Sequence, residues 1–115
     1  MCEESASEEV YRLLDDEYAR TILTSTDTTA KSAKELSEAC DASLPTIYRR
    51  TERLIDCGLL EEQTELEGDG HHYSVYKARL KRLTVELENN ELKLTIEERE
   101  PETMADRFTR IWEEL

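Results

Sequence analysis

Ser32-Ala-Lys-Glu-Leu-Ser-Glu-Ala-Cys-Asp-Ala-Ser-Leu-Pro-Thr-Ile-Tyr-Arg-Arg-Thr-Glu-Arg-Leu-Ile-Asp-Cys-Gly58 holds two helix starts and two helix stops in close succession. Ser32 and Glu35 have the spacing of a capping box, in which each side chain satisfies a backbone N–H of the other's turn. The helix that follows is short, with Leu36 and Ala39 inward, and ends near Cys40. Asp41-Ala42 is a tight connector. Ser43 is a second N-cap, with Leu44 and Pro45 in the first turn, where proline costs little. The second helix runs to about Cys57, and Gly58 is placed to take the left-handed position that ends it. At 100° per residue, Leu44, Ile47, Thr51, Leu54 and Ile55 fall inward, with Tyr48 at the edge. Pro45, Thr46, Arg49 and Arg53 fall outward, with Arg50 flanking them.

Outward from this pair, residues 1–7 are polar and expected to fray. From Glu8 to Ser25, Val10, Leu13, Leu14, Ile22 and Leu23 recur at helical spacing, and Asp15-Asp16-Glu17 divides the stretch into two pieces. Ser25 to Thr29 reads as a loop. After Gly58 the period changes to two. A strand from Leu59 to Leu66, a turn at Glu67-Gly68-Asp69-Gly70, and a return through Tyr73, Val75 and Tyr76 predict a β-hairpin. A second hairpin has Leu83, Val85 and Leu87 on one strand, Asn89-Asn90 at the turn, and Leu92, Leu94 and Ile96 on the other. Pro101 starts a last helix with Met104, Phe108, Ile111, Trp112 and Leu115 on one face. The expected fold is α+β: a winged helix-turn-helix over residues 8–80 with the first hairpin as wing, then a second hairpin and a C-terminal helix over 81–115.

The chain has 115 residues and a net charge of −13, from 28 acidic and 15 basic groups. A chain of that length is one domain with a small core. No apolar run is long enough for a membrane span and no secretory signal opens the sequence, so a cytoplasmic protein with no membrane partner is expected. Three scattered cysteines, Cys2, Cys40 and Cys57, do not form a disulfide framework. They read as packing groups, with a redox switch at Cys40 and Cys57 the less favoured alternative. No nucleophile–base pair, phosphate loop or paired-carboxylate motif points to an enzyme, and no metal site or cofactor is expected. The acid is unevenly spread. Residues 1–30 carry two basic and eight acidic groups, and residues 83–115 carry four and ten, a net of −6 each. Residues 31–82 carry nine and ten, a net of only −1. Such a coat suits a salt-rich cytoplasm, where carboxylates keep the protein hydrated.

The near-neutral middle holds the candidate DNA-binding residues: Ser43, Pro45, Thr46, Tyr48, Arg49, Arg50 and Arg53 on the second helix and its cap. Arg can grip guanine O6 and N7 or hold phosphate, Thr46 can meet a base edge, and a helix N-terminus attracts phosphate. On the wing, His71, His72 and Lys77 are candidates for backbone or minor-groove contact, with Arg79 a weaker one. Adjacent histidines on a strand point to opposite faces, which disfavours a metal site there.

Ser43 to Leu60, together with Glu17-Tyr-Ala-Arg-Thr-Ile-Leu23 and Ala33-Lys-Glu-Leu-Ser37, resembles the helices of winged-helix repressors of the ArsR/PadR-like class. With the second hairpin and Met104-Ala-Asp-Arg-Phe-Thr-Arg-Ile-Trp112, residues 8–115 are similar to small winged-helix regulators abundant in haloarchaea. The resemblance implies a transcription regulator that binds double-stranded DNA as a homodimer. The Cys-x-Cys pair of metal-sensing members is missing here, so metal sensing is not implied.

The stripe Met104, Phe108, Ile111, Trp112 and Leu115 is the expected dimer contact. The acidic ends imply inorganic cations held between carboxylates and phosphates at a DNA interface. The competing expectation is a winged-helix module that docks on a protein and never touches DNA, which the net charge favours.

Overall fold

The structure, a computed structural model, describes residues 2–66 and 70–100. Helices α1 (Cys2–Asp15) and α2 (Glu17–Ser25) are separated by Asp16 alone. Asp16 leaves helical geometry at φ −86° and ψ 122°, and its carboxylate accepts the Ala19 N–H at 2.8 Å. The acidic triplet 15–17 therefore ends one helix and caps the next. A two-residue strand, β1 (Lys31–Ser32), leads into α3 (Ala33–Cys40) and α4 (Leu44–Asp56).

The capping box forms as the spacing predicts. Ser32 Oγ accepts the Glu35 N–H at 3.2 Å, and Glu35 Oε1 accepts the Ser32 N–H at 3.1 Å. Asp41 takes a left-handed φ of 52° to turn the chain, and Ser43 caps α4. Cys57 caps the other end, and Gly58 follows at φ 78°.

Strands β2 (Leu60–Leu66) and β3 (His72–Ala78) form an antiparallel hairpin, and β1 pairs with the free edge of β3 through Lys31↔Tyr76 and Ser32↔Val75. A two-residue strand carries no alternation, so β1 left no signal in the sequence. Strands β4 (Leu80–Glu88) and β5 (Glu91–Glu98) form a separate two-stranded sheet. Asn89 and Asn90 both have positive φ, 51° and 65°, as a tight hairpin turn requires. The fold is thus α+β, with four helices and two small antiparallel sheets among the described residues. The expected C-terminal helix and its stripe of Met104, Phe108, Ile111, Trp112 and Leu115 lie outside them.

One core joins the helices to the three-stranded sheet. Val10, Leu13, Ile22, Leu36, Ile47, Leu54, Leu59 and Tyr76 are all buried within it, and Leu80, Leu83, Leu94 and Ile96 pack against its edge. Thr26 ties α2 to the sheet: its buried hydroxyl donates to the Ile22 carbonyl at 2.8 Å, and its own carbonyl accepts the Ala78 N–H at 3.1 Å. Two inward assignments fail. Ala39 is exposed in the last turn of α3, whose buried residues are Ala33 and Leu36. Leu44 is 42% exposed, because the buried arc of α4 is centred on Ile47, Thr51 and Leu54 and Leu44 lies at its edge in the first turn.

Gly58 closes α4 beside the foot of the second hairpin, where an added Cβ would meet the Glu98 carboxylate. Gly58→Ala is expected to lower stability by about 1–2 kcal/mol, the usual cost of a left-handed residue with a side chain. Urea unfolding measures this. Adding Glu98→Ala should restore only a minor part, since the backbone cost at φ 78° remains.

Candidate functional site

The exposed arc of α4 carries most of the candidate residues. Ile47, Thr51 and Leu54 face the core, which turns Pro45 and Arg49 to solvent. Tyr48 is 51% exposed. Ser43 Oγ lies 3.0 Å from Thr46 Oγ1, so the cap also holds the Thr46 hydroxyl at the helix start. Among the described residues Arg49 makes no ion pair.

Its two neighbours differ. Arg50 Nε donates to Asp16 Oδ2 at 2.9 Å, and its guanidinium carbon lies 5.9 Å from the Tyr18 ring centroid. Arg53 Nε donates to Glu9 Oε1. Both arginines are partly buried against the α1–α2 corner. The sequence reading put Arg53 on the fully outward face. Glu9 on α1 draws it sideways. In both ion pairs the contact is made through Nε, which leaves the Nη N–H groups outside the pair.

Burial pushes the Asp16 carboxyl up. The Arg50 hydrogen bond, the Ala19 N–H and the charges of Arg50 and Arg53 outweigh it and hold the group below its ordinary value. The hydrogen bond to Glu9 raises the Arg53 pKa further.

The opposite flank of α4 is acidic. Tyr48, Glu52 and Asp56 line an open groove of about 250 Å³ with Glu62 of β2 and Tyr76 of β3. On the exposed arc these carboxylates adjoin Arg49, while Arg50 and Arg53 lie on the side of α1 and α2.

The β2–β3 hairpin bears the remaining candidates. His71 and His72 are exposed just beyond Gly70, while residues 67–69 of the turn lie outside the described residues. Lys77 Nζ donates to the Asp27 carbonyl at 3.1 Å, next to the start of β1. Arg79 does not point to solvent as a phosphate ligand. It bridges Glu61 at 3.5 Å and Glu98 at 3.3 Å and donates to the Arg99 carbonyl at 3.0 Å, so it braces the junction of the two hairpins. Glu9, Asp16 and these braces were missed from the sequence. Their partners lie 34 and 44 residues away for the two helix pairs, beyond any local pattern.

Cys40 and Cys57 are half-buried free thiols. Burial, then Asp16 and Glu17, push Cys40 up. Burial, then Glu9 and Asp56, push Cys57 up against the pull of Arg53. Thiols held protonated in this way are poor nucleophiles, which fits their reading as packing groups. Among the described residues no three His, Cys, Asp or Glu side chains are grouped to hold a metal ion, and no helix is long and apolar enough to cross a membrane. No protein-family model matches the chain, and no curated protein does.

Asp16 serves as cap and counter-ion at once, and the two roles separate by substitution. Asp16→Asn keeps the cap and loses the charge, for an expected cost of up to about 1 kcal/mol. Asp16→Ala loses both and should cost about 1–2 kcal/mol. The folded carboxyl titrates below 3.8, so its contribution is complete above that value and is lost as pH falls through the folded pKa. Urea unfolding across a pH series should show the gap between wild type and Asp16→Asn constant near neutrality and closing at acid pH.

Proposed function

We propose that the chain is a winged-helix transcription regulator that binds double-stranded DNA as a homodimer. In this reading α3 and α4 are the helix-turn-helix, with α4 in the major groove. The β2–β3 hairpin is the wing, with His71, His72 and Lys77 near the flanking backbone or minor groove. The observation that carries the reading is the exposed arc of α4: Thr46, Arg49, Arg50 and Arg53 all lie outside the buried arc of Ile47, Thr51 and Leu54, with Asp56 and Glu52 following beyond Arg49. Arg49, unpaired and near the middle of the exposed arc, suits a base edge. Arg50 and Arg53, held at Nε, keep Nη donors for phosphate.

A second reading, a protein-docking module, draws on one specific observation. Asp16 and Glu9 neutralise two of the three arginines, and the chain is already at −13. The experiment that separates the readings is fluorescence anisotropy with labelled fragments from upstream of the protein's own gene, in molar KCl. Saturable, sequence-dependent binding supports the regulator. Absence of binding with the fold intact supports the docking module.

On the DNA reading, Arg49→Ala should weaken a specific site by roughly 5- to 150-fold, equivalent to about 1–3 kcal/mol, and relax preference at one base position. Arg50→Ala should weaken all sequences alike. Arg49→Ala binding as tightly as wild type would show that the reading face is misassigned.

The dissociation constant should also be flat, or should improve, as KCl rises to molar, because cations taken up between carboxylates and phosphates offset those released by arginine. A steep loss of affinity, with circular dichroism unchanged, would place the acidic coat clear of the DNA.

A further inference from the structure

Arg50 and Arg53 of α4 are each held by one carboxylate from the α1–α2 corner. Asp16 Oδ2 accepts both the Ala19 N–H at 2.8 Å and the Arg50 Nε–H at 2.9 Å, so a single oxygen caps α2 and anchors α4. The Tyr18 ring, with its centroid 5.9 Å from the guanidinium carbon, adds a second contact to Arg50. Glu9 takes Arg53 through Oε1, while its Oε2 lies 4.0 Å from Arg12 on its own helix. The Arg50 and Arg53 side chains stay 23% and 35% exposed. Arg49, beside them, makes no ion pair among the described residues.

Partly exposed pairs of this kind contribute little to stability. Their effect on the outer surface is larger. A free guanidinium on an exposed helix attracts any phosphate within reach, whatever the register, and this attraction of net charge is the source of non-specific DNA binding. A guanidinium that already faces a carboxylate brings little net charge. It keeps its Nη N–H groups, whose directions follow from the anchored Nε. Such donors meet a phosphate well only where the helix has settled in one register. Phosphate contacts carry no sequence information, but they set the register in which a base edge is read. Arg49 discriminates between bases only if its two neighbours do not hold α4 in other registers. The Asp16 carboxyl titrates below its ordinary value, so its counter-charge is complete at neutral pH.

We propose that Asp16 and Glu9 are specificity-determining positioning residues of the DNA-binding face. By neutralising Arg50 and Arg53 and fixing their Nε groups, they suppress binding to arbitrary duplex DNA and leave discrimination to Arg49. These roles rest on the DNA reading and add to it two acidic residues from outside α4 and the wing. Asp16→Asn isolates the charge. An amide oxygen in the place of Oδ2 still accepts the Ala19 N–H, but it holds a guanidinium more weakly than a carboxylate does, so Arg50 regains net charge and reach.

The test is fluorescence anisotropy with two labelled duplexes, the upstream fragment and a scrambled sequence of the same length. It runs over an about tenfold range of KCl, with circular dichroism at each point. Wild type, Asp16→Asn, Arg50→Ala and Asp16→Asn/Arg50→Ala are compared. With Asp16→Asn, affinity for the scrambled duplex should fall with salt more steeply than in wild type. The log–log slope should change by about 0.9 per chain bound, or roughly eightfold in affinity over the range. At the low-salt end the variant should bind the scrambled duplex more tightly than wild type does, and the gain on the upstream fragment should be smaller. In the Arg50→Ala background the same substitution should leave the slope unchanged. A merely structural Asp16 would move stability and not the slope.

An Asp16→Asn slope equal to that of wild type, with the fold intact, would overturn the proposal. So would a slope change that persists without Arg50, since it would come from the lowered charge of the whole chain. If Asp16→Asn does not fold, Glu9→Gln decides by the same slopes, with Arg53→Ala as its background. A wild type that binds neither duplex removes the DNA reading and these roles with it. A wild type that binds, with an indifferent Asp16→Asn, removes the roles alone.

Discussion

The carboxylate of Asp16 fixes how the helices of this protein meet. It ends α1, caps α2 through the Ala19 N–H, and receives the Arg50 guanidinium from α4. Apolar burial supplies most of the energy of the helical core, but it is non-directional. Ile47, Thr51 and Leu54 require only that one side of α4 face inward. The Asp16–Arg50 and Glu9–Arg53 pairs act at the flank and select one rotation of the helix about its axis. Everything displayed on the outer arc, including Arg49 and the Ser43–Thr46 cap, depends on that setting.

The acid excess thus has two components with different consequences. Some carboxylates are internal counter-ions: Glu9 and Asp16 for α4, Glu61 and Glu98 for Arg79, Asp27 for Arg99. The pairs of Glu9, Asp16 and Glu61 are partly shielded from solvent, so salt screens them less than it screens exposed pairs such as Arg99–Asp27. The remainder, such as Glu86, Glu88 and Glu91 on the polar face of the second hairpin, lies in solvent and hydrates the surface. A net charge read from composition merges the two. Their separation explains how a chain at −13 retains an arginine-lined helix.

Local features of the fold were legible in the sequence because their causes are local. The Ser32–Glu35 box, the Ser43 cap, Gly58 and the Asn89-Asn90 turn each act within a few residues. Leu44 was misassigned because a helical wheel gives direction but not how far a neighbouring element reaches along the axis. The strand β1 was missed because its pairing with Val75 and Tyr76 is set from the far side of the sequence. At the candidate site the sequence identified the residue types but not their partners. The wheel puts Arg49 and Arg53 outward and Arg50 at the flank, and only long-range packing makes Arg49 solitary and the other two paired.

That inequality bears on how the arginine helix would respond to salt. Counter-ion release scales with the net positive charge brought to phosphate, at a slope of about −0.9 per neutralised phosphate. A guanidinium paired with a carboxylate brings little net charge, yet its Nη groups still donate hydrogen bonds of fixed direction. Holding Arg50 at Asp16 and Arg53 at Glu9 therefore keeps their donors and removes most of their share of the salt slope, leaving Arg49 as the one full charge of the three. Weak salt dependence then has a source within the helix itself, separate from cation uptake by the acidic coat. In concentrated salt, recognition built on oriented donors persists where recognition built on net charge fades. The same carboxylates that orient α4 in the fold would thus adapt it to bind DNA in such a medium.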